Sequence, residues 1–471
     1  MSKDDKKRYL ILKDSNIPKG LILLAIPLML NNFLKTFHDI IDMFFVGRIP
    51  GSGTAAVAAI QLTFPVVFTF LALGIGLSVA GTALISQFVG SGQDDDARRY
   101  ASQLLSLSLI IGVFIMFLSF FGAPLIMRLM GVDTGSFEFQ NSVAYLRIRA
   151  FELPLLFVFF SYLATRQASG DTLSPVLVSG SAIVLNMILS PIFISVFGLG
   201  VPGAAYATLI ANGVVMPIGI YGLFFAKTGI TVKPKLMRLE LGVAKDIIRT
   251  AVPASLGQAI TAVGFGVMNG IIYSYGTETV AAFGVGNRIM SMILHPVMAI
   301  GGVLSAYIGQ NIGAQNIDRA KLTFRKAMGL SFWLMVAGSA FLMFIRTPMA
   351  SLFIVDDPQT LSLASDYMFY ILIGLPLMGV FQTFMGTYNG TGNTHYSFIL
   401  SVVRLWLLRI PIVIFMREFT TLGSSGIWYA VLISNILIMV LGFALYKRID
   451  FKPKVSLDHT PREKVELRPT G

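Results

Sequence analysis

Five polar side chains, Asn31, Lys35, His38, Asp39 and Asp42, interrupt an apolar run near the start of the chain. At about 100° per helical residue, all five fall within an arc of about 100°. A polar stripe on an apolar helix can form one wall of an aqueous cavity; the alternative is that these groups satisfy one another and pin helices together. Lys35 and Asp39 are spaced i,i+4 for an ion pair. That leaves Asp42 as the better candidate to exchange a proton or Na⁺ for a cationic substrate. His38, with an ordinary pKa near ~6.5, is the alternative titrating group. Asn186 and Ser190 share a helical face just before Pro191. They can complete ion coordination or hydrogen-bond a protonated Asp42, or serve as polar glue between helices. Arg288, Arg404 and Arg409 carry charge into apolar stretches of the second half, where Glu152, Asp366 or a lipid headgroup are the anions expected near them. No acidic stripe like that of residues 31–42 recurs there, so the ion-coupling chemistry is expected in the first half.

Other chemistries are excluded by what the chain lacks. With no cysteine, it has no disulfide, thiolate metal site or cysteine nucleophile. Its four histidines, 38, 295, 395 and 459, are too scattered to form a metal site by themselves. Gly198-x-Gly200-x-x-Gly203 fits a dinucleotide fingerprint but has no soluble strand before it and is expected as a turn. No Walker loop is present, so this chain does not draw directly on ATP. No nucleophile, base and oxyanion donor assemble, so the chain is not expected to be an enzyme, and no organic cofactor is expected.

The elements that must position these residues follow from composition. Hydrophobic side chains make up 55% of the 471 residues and charged ones only 13%, about half the share of a soluble domain, with a mean hydropathy of +0.75. A bilayer core needs about 20 apolar helical residues. Twelve stretches supply them: 20–46, 55–89, 99–121, 144–165, 174–196, 203–225, 246–274, 279–310, 322–345, 364–388, 396–416 and 426–446. The first is too long, and too interrupted by Asn31-Asn32, to be a cleavable signal. Of the 36 Lys and Arg, 26 fall on the side of the N-terminus, 6 on the other and 4 within spans. This asymmetry places both termini in the cytoplasm of a multi-pass protein of the cell (inner) membrane. It also assigns the net charge of +12 to topology rather than to nucleic acid.

A long internal repeat organises the spans. Thr54-x-x-Val57-Ala58-Ala59 recurs as Thr277-x-x-Val280-Ala281-Ala282, and Gln87-x-x-Gly90 recurs as Gln310-x-x-Gly313, both at a shift of 223. Asn212 and Asn435 share that shift, and Gly170-x-Thr172 matches Gly392-x-Thr394 at 222. Six spans per half leave the halves in the same orientation, an arrangement of transporters with midplane substrate sites. The expected units are a cytoplasmic tail 1–14, a first lobe 15–225, a basic loop 226–245, a second lobe 246–451 and a tail 452–471. Both tails are polar and expected to be flexible. The fold class is therefore an all-α membrane protein of twelve helices in two parallel six-helix repeats.

With that repeat, and with Asp42-Met-Phe-Phe-Val-Gly-Arg48 closing the first span, the chain resembles the multidrug and toxic compound extrusion (MATE) family over residues 15–450. Gln87-Phe-Val-Gly90, Gln310-Asn-Ile-Gly313 and Leu185-Asn186-Met-Ile-Leu-Ser190-Pro191 carry the likeness further. The resemblance implies a V-shaped pair of lobes that rock between two states, and efflux of amphipathic, often cationic, small molecules driven by H⁺ or Na⁺. It implies Asp42 as the coupling aspartate; from the polar stripe and the Asn186–Ser190 pair, Asp39, His38, Asn186 and Ser190 are expected to help it. Asn31, Lys35, Tyr145, Thr208, Arg404 and Arg409 are the expected substrate contacts. Asn186, Tyr145 and Thr208 look like the archaeal-like branch rather than NorM-type pumps. The chain departs from both: Ser190 stands where an aspartate is usual, Lys35 replaces a neutral polar residue, and Thr261 and Met378 occupy the acidic positions of NorM-type pumps. A lipid or lipid-linked oligosaccharide flippase of the same superfamily is the competing reading, favoured by the intramembrane Lys35 and arginines. Membrane lipids and the small-molecule substrate are the expected partners, with the chain a monomer.

Overall fold

The computed structural model describes residues 3–354 and 357–457, so residues 458–471 of the expected C-terminal tail, His459 among them, lie outside the described residues. The helices are α1 (Lys3–Leu12), α2 (Ile17–Gly47), α3 (Gly53–Ser91), α4 (Asp94–Leu129), α5 (Phe137–Ala150), α6 (Leu153–Ala168) and α7 (Leu173–Pro191). They continue with α8 (Gly200–Phe225), α9 (Leu241–Tyr273), α10 (Thr277–Gly313), α11 (Ile317–Ser351) and α12 (Pro358–Gly390). The last are α13 (Thr394–Val402), α14 (Ile410–Phe419) and α15 (Ser425–Tyr446). No strand occurs among the described residues, as expected where lipid offers the backbone no hydrogen bonds.

Eleven helical stretches among the described residues are long and apolar enough to cross a membrane; twelve are expected from the sequence. The difference lies at 144–165, which is broken into α5 and α6. Pro154 has no N–H to give to the preceding turn. The backbone there tightens, with Phe151 N and Glu152 N donating to the carbonyls of Ile148 and Arg149 at 3.3 and 3.0 Å. Together α5 and α6 complete two six-helix halves.

The repeat seen in the sequence has a structural counterpart. Gly170 and Gly392 both adopt left-handed backbones, with φ of 75° and 73°, at the equivalent turns after α6 and α12. Gln87–Gly90 and Gln310–Gly313 end α3 and α10, two of the helices through which the halves meet. A Cβ on Gly90 would lie 2.0 Å from the Gln310 carbonyl oxygen, and one on Gly313 would lie 1.8 Å from that of Gln87. Each helix thus requires a glycine where the other's backbone passes. The two glutamine side chains then reach outward. Gln310 donates to the Ala168 carbonyl at 2.7 Å, and Gln87 accepts from the Lys454 N–H at 2.8 Å.

The ends of the chain strengthen this face, which carries α1 and is called here the N-terminal face. The segment before the first span is a docked helix, not a flexible tail. Its Ile11 is fully buried in the second half's core. Arg319 satisfies the carbonyls that the end of α1 leaves free, donating to Ile11 O at 3.0 Å and Asp14 O at 2.7 Å. The same helix pairs Arg8 with Asp94 at 2.8 Å and Lys7 with Asp171 at 3.4 Å in the first half. Conversely, Val455 packs into the core of the first half. The connector between halves is clamped to α4, where Gln103 donates to the carbonyls of Leu236 and Arg238, each at 2.7 Å. Arg99 pairs with Glu240 beside it and holds that carboxylate below its usual range. This pair weakens as pH falls into the carboxylate range, and being accessible it contributes at most about 1 kcal/mol.

Because the Gly90–Gly313 crossing leaves no room for a methyl group, Gly313→Ala and Gly90→Ala should each destabilise the protein by roughly 1–3 kcal/mol. The measurement is thermal unfolding of the purified protein in detergent. Unchanged melting of both variants would show that the crossing is looser than described.

Candidate functional site

The stripe predicted on the first span lies on α2, which packs against α7 of its own half and α10 of the other. Asn31 is buried and accepts a hydrogen bond from the Ser179 hydroxyl of α7 at 2.6 Å. Lys35 is accessible and stands within electrostatic range of Asp39 and of His295 on α10. The expected Lys35–Asp39 ion pair does not close within 4.0 Å. Instead the Asp39 carboxylate, itself 76% exposed, faces His38 Nδ1 at 3.3 Å. The other ring nitrogen, Nε2, lies 3.3 Å from Asp42 Oδ2. His38 therefore bridges the two acids, and Lys35 is displaced from the role the spacing suggested.

Asp42 has one oxygen on His38 and the other, Oδ1, buried without a partner. A buried carboxylate oxygen left unsatisfied is costly, and either a proton or a small cation would relieve it. The Ser190 hydroxyl of α7 lies within hydrogen-bonding reach of the same carboxylate, and Arg149 of α5 acts on it electrostatically.

Asn186 and Ser190 are brought together as their spacing predicts. The Ser190 hydroxyl donates to Asn186 Oδ1 at 2.8 Å, and the Asn186 amide donates to Thr208 Oγ1 of α8 at 2.9 Å. Thr208 donates in turn to the Ala204 carbonyl at 3.0 Å. Tyr145 is buried on α5, its hydroxyl accepting from Arg149 at 3.2 Å.

Three residues of this network escape a reading of single positions. Glu152, only 2% exposed at the α5–α6 break, accepts from Arg149 Nε at 2.8 Å and from the Asn212 amide at 2.9 Å. Glu152 is thus spent inside the first half and is not the counter-ion expected for the arginines of the second. The i,i+3 spacing of Arg149 and Glu152, and the place of Asn212 in the repeat, were the available signals.

In the second half, α13 runs into a π-helix, Val403–Arg409, before α14. Arg404 and Arg409 sit on it, 6% and 7% exposed. Arg409 donates from Nε to Ser434 Oγ at 3.1 Å and from a terminal nitrogen to Asn435 Oδ1 at 2.8 Å. Arg404 contacts the Met378 sulfur at 3.2 Å and lies over the Phe381 ring, 4.4 Å from its centroid. Among the described residues neither forms an ion pair with a carboxylate, Asp366 included. Arg288 is exposed and does not join them.

A family model described as MatE matches residues 27–192 and 253–415, the two halves in turn. The chain belongs to the MatE family. It is a membrane transporter, and not an enzyme, of a family whose named members include drug-efflux proteins. Among its MatE relatives, a Bacillus subtilis (strain 168) protein named "Probable multidrug resistance protein YoeA" is 26% identical over 90% of this chain and 93% of its own length. The FAD transporter of Shewanella oneidensis is 28% identical over 92% and 95%. A multidrug resistance MATE family transporter of the MOP superfamily, solved in an outward-facing conformation, superposes with a TM-score of 0.88 at 25% identity, covering 95% of this chain and 98% of that one.

The Arg149–Glu152 pair gives this MatE chain a stability test. Arg149→Ala leaves the buried Glu152 without its cation and should cost about 3–5 kcal/mol, whereas Arg149→Met combined with Glu152→Leu should recover most of that loss. Thermal and denaturant unfolding in detergent measure both. A single variant as stable as the parent would remove the pair from the fold's supports.

Proposed function

We propose that this MatE protein is a secondary active antiporter. It exports amphipathic, often cationic, drugs or metabolites from the cell by alternating access, driven by a proton or sodium gradient. The single observation that carries this reading is the unsatisfied, buried Oδ1 of Asp42, on a helix that belongs to one half and packs against the other. A site that a proton or Na⁺ completes, placed at the seam between two moving bodies, is what coupling requires. His38 and Asp39 relay or share the coupling charge. Asn186 and Ser190 orient the wall opposite. The multidrug names among the relatives support the substrate class.

The moving bodies in this reading are residues 15–225 and 246–451, each lobe rocking about the α3–α10 crossing. The excess of Lys and Arg places the N-terminal face in the cytoplasm of the cell membrane. In this reading the contacts on that face hold it closed. Asn31, Lys35, Tyr145 and Thr208 form the polar interior from which a substrate exchanges hydrogen bonds, and the Asn186–Thr208 bond favours the archaeal-like branch over NorM-type pumps. A second reading, a flippase for lipids or lipid-linked oligosaccharides, is favoured by Arg404 and Arg409, which lack a protein anion.

Proteoliposomes separate these readings. A fluorescent organic cation should move under an imposed pH gradient or an imposed Na⁺ gradient, and Asp42→Asn should reduce that movement to the protein-free background. His38→Gln should shift the pH profile rather than abolish transport. Folded protein that moves no dye under either gradient would overturn the antiporter reading in favour of the flippase.

A further inference from the structure

We propose that Arg404 and Arg409 form an anion-binding site in the second lobe that takes the phosphate or carboxylate of an amphipathic transported molecule. The inference rests on the transporter reading and adds a substrate class to it.

The backbone is the first reason. In an ordinary α-helix, at roughly 3.6 residues per turn, side chains five apart diverge by about 140°. A π-helix closes its hydrogen bonds from i to i+5 and brings such residues towards one face. Here the register is seen in the Ile410 N–H bonding to the Leu405 carbonyl. The local helix is thus wound so that Arg404 and Arg409 turn towards one face, and the charge of Arg409 acts unfavourably on Arg404.

The second reason is the set of partners. Ser434 and Asn435 are neutral, as are Met378 and Phe381, and Arg404 Nε is buried with no partner at all. Guanidinium presents a planar fork that matches phosphate and carboxylate oxygens in pairs. An anion between the two arginines would fill the vacant donor and remove their repulsion. Phe381 and Met378, already against Arg404, give an apolar surface for the rest of the molecule.

The third reason is the comparison between lobes. Arg409 stands 223 residues after Asn186, and Asn435 stands 223 after Asn212. In the first lobe that asparagine pair serves a network built on Glu152; in the second the same positions serve a cation. Where the first lobe has the neutral Asn186, the second lobe thus places a cation.

The test uses the full chain in detergent and two phosphate monoesters with uncharged controls. Flavin mononucleotide is the soluble probe and riboflavin its control, read by fluorescence polarisation. Lysophosphatidic acid is the lipid probe and monoacylglycerol its control, read by thermal stabilisation. At least one phosphate should bind about tenfold or more tightly than its control, and Arg404→Gln and Arg409→Gln should each remove most of that preference. Arg404→Lys, which keeps the charge but loses the fork, should fall between. Which monoester wins identifies the source as soluble or lipid. Melting temperatures of the variants establish folding, and because Arg404→Gln removes an uncompensated buried charge it should fold at least as well as the parent. Phosphates that bind no better than their controls, or a preference that survives both glutamine variants, would overturn the site. Selective binding with no gradient-driven transport by the wild type would instead sink the antiporter reading alone.

Discussion

The crossing of α3 and α10 at Gly90 and Gly313 sets the geometry on which the rest of the molecule depends. Two backbones can approach this closely only where both side chains are absent, and the repeat supplies a glycine to each helix at the equivalent place. The glutamines three residues earlier then tie each helix to backbone beyond the crossing, one to the end of α6 and the other to the C-terminal segment. Around it, α1 grips the second half through Arg319 while its salt bridges reach the first, and Val455 does the reverse. Both ends of the chain thus cover the same seam. Any opening of the N-terminal face must release these contacts together, which favours two discrete states over a continuum.

Sharing one fold, the two halves treat their buried charge differently. The first half pairs its buried Glu152 with Arg149 and leaves Arg166 on backbone carbonyls; the second buries Arg404 and Arg409 with no acid bonded to either. Charge inside a span costs about 2.5–3.5 kcal/mol on insertion scales. The first half offsets part of that cost internally, through Arg149, Asn212 and His38. The second uses only dipoles and an aromatic face. That asymmetry, superimposed on a repeat, separates the half proposed to handle the coupling ion from the half proposed to meet an anion.

Much of this was legible in the sequence because it depends on periodicity. Apolar runs gave the spans, and the 223-residue shift gave two parallel halves with Gly90 and Gly313 as counterparts. The stripe on α2 and the Asn186–Ser190 pair follow from helical angle alone. What failed depended on which of several neighbours a side chain would choose. Spacing offered Lys35 to Asp39, but His38 sits between Asp39 and Asp42 and takes both. Glu152 was as available to distant arginines as to Arg149 until the break at Pro154 turned it inward. The docked α1 was hidden for another reason. Its polar composition reads as solvated tail, and only the position of Asp94, Asp171 and Arg319 shows what those charges meet.

His38 also constrains how coupling can work at Asp42. The ring contacts Asp39 through one nitrogen and Asp42 through the other, so a proton added to the imidazole lets both nitrogens donate, one to each acid. A neutral ring must leave one acid facing a bare nitrogen lone pair. The charge state of His38 therefore decides whether the exposed Asp39 and the enclosed Asp42 are held to the same group or released from it. Since Asp39 is exposed while Asp42 faces Ser190 and Arg149, the proposed role of the imidazole is to pass a proton between the exposed acid and the enclosed one. In the proposed cycle, arrival of that proton quenches the free oxygen of Asp42 and weakens its pull on α5 and α7. That change falls on the helix packed against α10, where a shift of the first half is felt by the second.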